Sequence, residues 1–344
     1  DVIPLNNKDT RVPYKICSFD IEASSSHGDF PVPQKSYKKL STNIIEYYEN
    51  NNNELSKSDI MKIIKTAFGY DELILIDKVY PKNQPKMAEL NELIDRLLKK
   101  KMNELCNNRK SDENTIERAF ERMQLDEDED EMDDIKINKL ISKSHTLIDI
   151  INGDYKREEK IDIITKSFEG VVFPQLKGDE VTFIGSTFWK YGDEEPYLNN
   201  CLALGTCDNL SEIKNSEIKS YKTERELLLE WRNLIIKEDP DIIIGYNIFG
   251  FDYPFIHVRA QENYCEEEFL KLSRNTKEIC GTKDEDSGKM KIEESKIVIA
   301  SGEHDLKFIK MNGRLQIDLY NYFRRDYNLT SYKLDYVSGY FIGD

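Results

Sequence analysis

The apolar positions of this 344-residue chain change period along its length. In YKICSFDIE, residues 14 to 22, they alternate, so Cys17, Phe19 and Ile21 fall on one side of an extended strand and Asp20 and Glu22 on the other. Further on, Met87, Leu90, Leu93, Ile94, Leu97, Leu98, Met102 and Leu105 recur at helical spacing, which predicts an amphipathic helix. Two β-rich runs, EVTFIGSTFWKY and YLNNCLALG, flank a turn at GDEEP and predict adjacent strands. Thr223, with Glu226 three positions on, makes a capping box. The helix it opens carries Leu227, Leu228, Trp231, Leu234 and Ile235 on one stripe. That helix is expected to stop near Pro240, and DIIIGY follows as a short strand buried on both faces. Strand, helix and buried strand in that order indicate an α/β sheet.

Texture divides the chain into three. Residues 1–40 hold the first strand and a Ser-, Gly- and Pro-rich loop, ASSSHGDFPVP. Residues 41–165 are rich in Asn, Lys, Glu, Asp and Ile, and from 166 to 344 the compact pattern returns. The middle region is expected to be an insertion, helical and acidic and partly disordered. Its residues 112 to 134 carry twelve acids against Arg118 and Arg122, without helical spacing in the acidic half. That run supplies −10 of the formal charge of −16, so the overall balance does not decide for or against a nucleic-acid partner. A DNA groove would have to be locally basic, or draw its charge from bound metal. Cys17, Cys106, Cys201, Cys207, Cys265 and Cys280 are scattered without a C-x-x-C pair, which predicts reduced thiols in an intracellular protein. No run approaches the roughly 18 apolar residues of a membrane span, so no membrane partner is expected. The opening DVIPLNNKDT has neither an initiator methionine nor a signal sequence, and the chain is expected to be a piece of a longer protein.

Two segments carry candidate chemistry. Asp20 and Glu22, two residues apart on a buried strand, would repel each other and lose hydration unless a cation lay between them. Hard oxygen ligands at this spacing suit Mg²⁺ or Mn²⁺. Taken alone, such a pair is equally well explained as an edge-strand pair facing water. In DIIIGYNIFGFDYPFI, residues 241 to 256, the strand ends at Gly245-Tyr246-Asn247, the loop turns at Gly250, and Asp252 opens the next helix beside Phe251. Polar side chains at the carboxyl end of a sheet strand occupy the usual place for a site in an open α/β sheet. By itself, Asp252 is better explained as a helix cap.

Together the segments resemble the exonuclease domain of family B DNA polymerases: Asp20-x-Glu22 on a strand, then Asn247-x-x-x-Phe251-Asp252 after a later buried strand. The resemblance extends to FDIE with GDFPVP, to KSYKTERELLLEWRNLIIKEDPDIIIGYNIFGFDYPFI, and to GRLQIDLYNYFRRDYNLTSYKLDYVSGYFIGD, which is similar to the polymerase delta branch. The insertion and the Asn/Lys/Ile-rich composition are similar to polymerases of large DNA viruses. The resemblance implies a ribonuclease-H-like α/β domain with a long, largely helical insertion, performing proofreading 3′→5′ hydrolysis with two divalent ions, Mg²⁺ or Mn²⁺. Two such ions about 3.5–4 Å apart can stabilise the attacking and the leaving oxygen of an in-line displacement. It assigns Asp20, Glu22 and Asp252 to catalysis and metal binding, Asn247 to hydrogen bonding around the 3′ end, and Phe251 to packing or stacking there. The implied partners are DNA with a single-stranded 3′ end, primer–template DNA, deoxynucleotides through a polymerase region, and a sliding clamp through the longer protein. The implied location is a nucleus or a cytoplasmic viral replication compartment.

The third family motif, a Tyr followed four positions later by Asp, is expected beyond Asp344. The matches at Tyr322 to Asp326 and Tyr340 to Asp344 are read as coincidence, Asp318 as a structural strand end, and His257 as a surface or packing residue. Asp126, Asp128 and Asp130 lie in an unpatterned polar tract and are read as solvated. Two other readings compete: a free-standing exonuclease, against which the delta-like terminal stretch counts, and a catalytically incomplete DNA-binding scaffold, against which the joint presence of Asp20, Glu22 and Asp252 counts.

Overall fold

The alternation at the start of the chain produces β1 (Lys15–Ser24), with Cys17, Phe19 and Ile21 buried and Asp20 and Glu22 on the opposite face. The structure, a computed structural model, describes residues 12–25, 30–51, 54–101, 145–208, 212–299 and 302–343. The acidic run 112–134, with Asp126, Asp128 and Asp130, lies outside the described residues. The chain divides into two compact units, one formed by Asp1–Gln34 with Gly178–Asp344, the other by Lys35–Lys177.

The described part of Lys35–Lys177 is helical: α1 (Lys38–Asn51), α2 (Lys57–Ala67), α3 (Met87–Lys99), α4 (Leu147–Asn152) and α5 (Arg157–Gly170). Capping boxes start two of them, Ser56 with Asp59 at α2 and Thr146 with Asp149 at α4. Leu90, Ile94, Leu97 and Leu98 of α3 join Ile44, Ile60, Ile64, Ile164 and Phe168 in a separate apolar core. Within the described residues α3 ends at Lys99, and the expected continuation through Met102 and Leu105 lies outside them. The unit is wider at both ends than the composition shift at 41–165. Tyr37 stacks on Phe168 at 4.7 Å and Phe173 meets the same ring edge-on, so aromatic packing extends past the polar texture.

The other unit is built on a mixed six-stranded sheet in the order β10-β5-β1-β2-β3-β4. After β1 come β2 (Glu180–Lys190), β3 (Leu198–Leu204), β4 (Ser216–Tyr221) and β5 (Ile242–Gly245). The two-residue strands β6 (Thr282–Lys283) and β7 (Met290–Lys291), the hairpin β8 (Glu293–Ile299) with β9 (Gly302–Phe308), and β10 (Leu315–Asp318) complete the set. The strands β1, β2 and β3 run antiparallel in sequence, while β5 and β10 lie parallel to β1. The helices are α6 (Glu224–Glu238), α7 (Asp252–Glu262), α8 (Glu266–Phe269), α9 (Leu319–Asp326) and α10 (Leu334–Phe341).

The Thr223–Glu226 box opens α6, and its stripe is buried, with the Trp231 indole N–H donating to Ser186 Oγ at 3.2 Å. Phe19 packs against Trp231 and Tyr253, which ties β1 to α6 and α7. One expectation needs correcting. In β5 only Ile243 and Gly245 are buried, whereas Ile242 and Ile244 are half-buried, so the strand is covered fully on one face only.

Candidate carboxylate site at the sheet end

β1 pairs with β2 along its whole length but with β5 only from Ile16 to Ser18. Past that point the β5 side of β1 has no strand partner among the described residues, and its N–H groups need acceptors. Asp252 supplies one, Oδ1 accepting the Ile21 N–H at 3.1 Å across 231 positions of sequence. β5 can leave the sheet this abruptly because Gly245 has no side chain: a Cβ there would lie 2.3 Å from Ile248 Cγ2 and 2.9 Å from the Phe19 carbonyl oxygen. Asp252 is not the cap of α7. Phe251 occupies the cap position and Asp252 is the first helical residue, its side chain turned to β1.

The site is therefore electrostatically uneven. Asp252 is 1% exposed, and burial first, then the Asp20 carboxylate beside it, pushes its pKa up to about 8. Asp20 also hydrogen-bonds it, which raises the Asp252 pKa further. The expectation that Asp20 and Glu22 lose hydration is corrected: both are exposed, because the apolar helices cover only the Cys17–Phe19–Ile21 face of β1. Glu22 shares the strand face of Asp20, but among the described residues no group of three metal-ligating side chains converges. Two hard oxygen donors that repel each other, one of them desolvated, nevertheless form a donor set suited to a divalent cation.

Asn247 and Phe251 lie on the loop between β5 and α7. Asn247 is left-handed (φ 63°), and its carbonyl accepts the N–H groups of Gly250 and Phe251 at 3.0 and 2.9 Å. Phe251 is half-buried against Phe255 and against Phe30, a 75% exposed ring from the loop after β1. Of the remaining candidates, His257 is buried rather than at the surface, bonded to the Met290 carbonyl, its pKa lowered to about 4 by burial. Asp326 is paired with its neighbour Arg325, and Asp344 lies outside the described residues.

Sequence reading missed two supports of this site. Asp318 does end a strand, but its carboxylate also accepts the Asn247 and Phe249 N–H groups. Glu224, the first residue of α6, is bonded by Arg259 of α7 at 2.6 Å, and Arg259 also donates to the Pro33 carbonyl at 2.9 Å. The Asp-x-Tyr-Asn run after β10 was a local signal for the first; for the second no spacing pattern exists.

A family model described as DNA polymerase family B, exonuclease domain, matches residues 129–337, a span that includes Asn247, Phe251 and Asp252. A DNA polymerase of Phaeocystis pouchetii virus is 40% identical over 364 residues, covering 98% of this chain and 34% of the relative. A DNA polymerase of Pyramimonas orientalis virus is 32% identical, covering 96% of this chain and 26% of the relative. The DNA polymerase delta catalytic subunit of Dictyostelium discoideum is 37% identical over 172 residues, 50% of this chain and 14% of that protein. The chain thus spans about a third or less of the length of these relatives.

Proposed function

We propose a function from membership: the chain belongs to DNA polymerase family B, whose exonuclease domain it carries, and its carboxylates serve 3′→5′ hydrolysis of DNA ends within a longer replicative polymerase. The observation that carries this reading is the meeting of Asp20 and Asp252, 232 positions apart, at the open end of β1 with Asp252 desolvated. Such a pair is costly without a cation and useful with one. Asp20, Glu22 and Asp252 would hold two Mg²⁺ or Mn²⁺ ions. When bound, these supply positive charge to the attacking and leaving oxygens of the displacement. Asn247, on the loop that leads to Asp252, would hydrogen-bond the 3′-terminal nucleotide, and Phe251 would pack against its base or sugar.

The six-stranded mixed sheet supports a ribonuclease-H-like assignment for Asp1–Gln34 with Gly178–Asp344. Lys35–Lys177 is then an insertion. The viral relatives match over nearly the whole chain and the delta-type relative over half of it, which supports that reading. Primer–template DNA, deoxynucleotides and a sliding clamp are partners of the rest of the longer polymerase.

The test is release of 3′-terminal nucleotides from labelled single-stranded DNA by the longer polymerase that carries this chain. Asp20→Asn and Asp252→Asn should each lower the Mg²⁺-dependent rate about a hundredfold or more, with polymerisation retained. Full hydrolysis by the Asp252→Asn form would remove the assignment.

A further inference from the structure

The parallel ladder of β5 and β10 ends with Gly245 opposite Asp318. Beyond it the β5 chain turns into the loop through left-handed Asn247, and β10 turns into α9. Among the described residues the N–H groups of the departing loop have no further strand to bond. Asp318 takes them over with its side chain: Oδ1 accepts the Asn247 N–H at 2.8 Å and Oδ2 accepts the Phe249 N–H at 3.0 Å. The same oxygens bind their own helix start, through the Tyr320 N–H at 2.9 Å and Asn321 Nδ2 at 3.0 Å. Asp318 is 4% exposed, and none of these four partners belongs to the carboxylate pair.

We propose that Asp318 is a positioning residue for the 3′-end site, its carboxylate fixing the loop that presents Asn247, Phe251 and Asp252. The inference rests on the exonuclease reading above. Its physical basis is a short mechanical path. Asn247 is in a conformation that costs a non-glycine residue on the order of 1 kcal/mol and persists where neighbours over-determine it. Its carbonyl in turn fixes the Phe251 N–H, and the next residue is Asp252, whose Oδ1 must reach the Ile21 N–H. A carboxylate suits this place because both of its oxygens accept. An amide of the same shape would turn an NH₂ group toward one of the two loop N–H groups, donor against donor.

Asp318→Asn therefore isolates the role, with Arg314→Met as control. Arg314 stands at the other end of β10 and is bonded to the Leu272 and Pro240 carbonyls and to Asp239, away from the loop. In the longer polymerase, Asp318→Asn should lower kcat for 3′ nucleotide release about ten- to a hundredfold, the scale of a catalytic group displaced by about 1 Å. KM for the single strand should move much less, and the Mg²⁺ concentration for half-maximal rate should rise. Arg314→Met should lower the unfolding midpoint and, at a temperature where it is folded, keep kcat. A wild-type kcat in folded Asp318→Asn, with Asp252→Asn inactive, overturns this proposal and leaves the exonuclease reading standing. Activity in both variants overturns the reading itself. If Asp318→Asn does not fold, Asp318→Glu, which keeps the charge and shifts the oxygens by one methylene, carries the same expectation. Loss of the fold in both, with Arg314→Met folded, shows that Asp318 serves stability alone and overturns the proposal.

Discussion

Asp252 is 1% exposed with Asp20 hydrogen-bonded beside it, so its proton is retained well above the ordinary carboxylate range of 3.8. The sign of the resulting pH dependence follows. A carboxyl with a raised folded-state pKa binds more protons folded than unfolded between about 4 and about 8, and stability falls as pH rises through that window. In EDTA the chain should therefore lose up to a few kcal/mol from mildly acidic to mildly alkaline pH. Asp252→Asn should flatten that slope, and added Mg²⁺ should raise the unfolding midpoint more at the alkaline end. Equal slopes for both forms, from thermal unfolding across pH, would show that the pair is not where the protons are bound. The adjacent residue gives an independent check. Tyr253 is fully buried against Phe19 and Phe249, and its hydroxyl has no partner among the described residues. Tyr253→Phe deletes an unsatisfied group without opening a cavity and should raise stability by up to about 1 kcal/mol, read from the urea midpoint at unchanged m-value. A loss of that size would mean the hydroxyl is bonded in solution.

At the scale of elements, α6 and α7 are locked by one buried pair. The Glu224 and Arg259 side chains are 2% and 7% exposed, and Glu224 also accepts the Val181 N–H and the Asn263 amide. Burial works against the guanidinium charge, while the Glu224 carboxylate outweighs it and leaves the Arg259 pKa raised. Removing one partner strands the other, so Glu224→Gln should destabilise by about 3–5 kcal/mol, and Glu224→Gln with Arg259→Met together by less than the sum of the two single changes. Additive single costs in denaturant titrations would show that the pair does not act as a unit. This lock, the Asp252 bond to Ile21 and the Asp318 bonds to the loop were invisible in sequence for the same reason: they join positions 35, 231 and 71 apart, with no periodicity to report them. The legible features were local. Alternation marked β1, the Thr223–Glu226 box and its stripe marked α6, and the apolar run ending in Gly245 marked β5. What alternation could not tell was that the Asp20–Glu22 face stays uncovered, because burial depends on where helices land rather than on the strand carrying the residues.

At the scale of the whole molecule, the chain leaves and re-enters the sheet unit at one place. The Val32 N–H donates to Asp179 Oδ2, and the Asp179 N–H returns to the Val32 carbonyl, each at 2.9 Å. Gly178 permits the approach, since a Cβ on it would lie 2.0 Å from the Pro33 carbonyl oxygen. The ends of Lys35–Lys177 are thus fixed close together on the sheet side, and the segment closes a loop whose entropy depends only weakly on its length. Its apolar core, from Tyr37 to Leu176, shares no residue with the core under the sheet among the described residues. Two separate cores imply two separable folding units. Replacing Lys35–Lys177 by a short Gly/Ser linker should leave a folded sheet unit with a sharp unfolding transition, and the excised segment should unfold cooperatively by itself. Calorimetry decides between this and a single cooperative molecule. Two transitions in the whole chain, each reproduced by one piece, are expected; one transition that neither piece reproduces would show that the cores stabilise each other. Gly178→Val should weaken the sheet unit's transition and leave the other in place, because the collision it creates, with the Pro33 carbonyl and the Arg259 guanidinium, lies within the sheet unit.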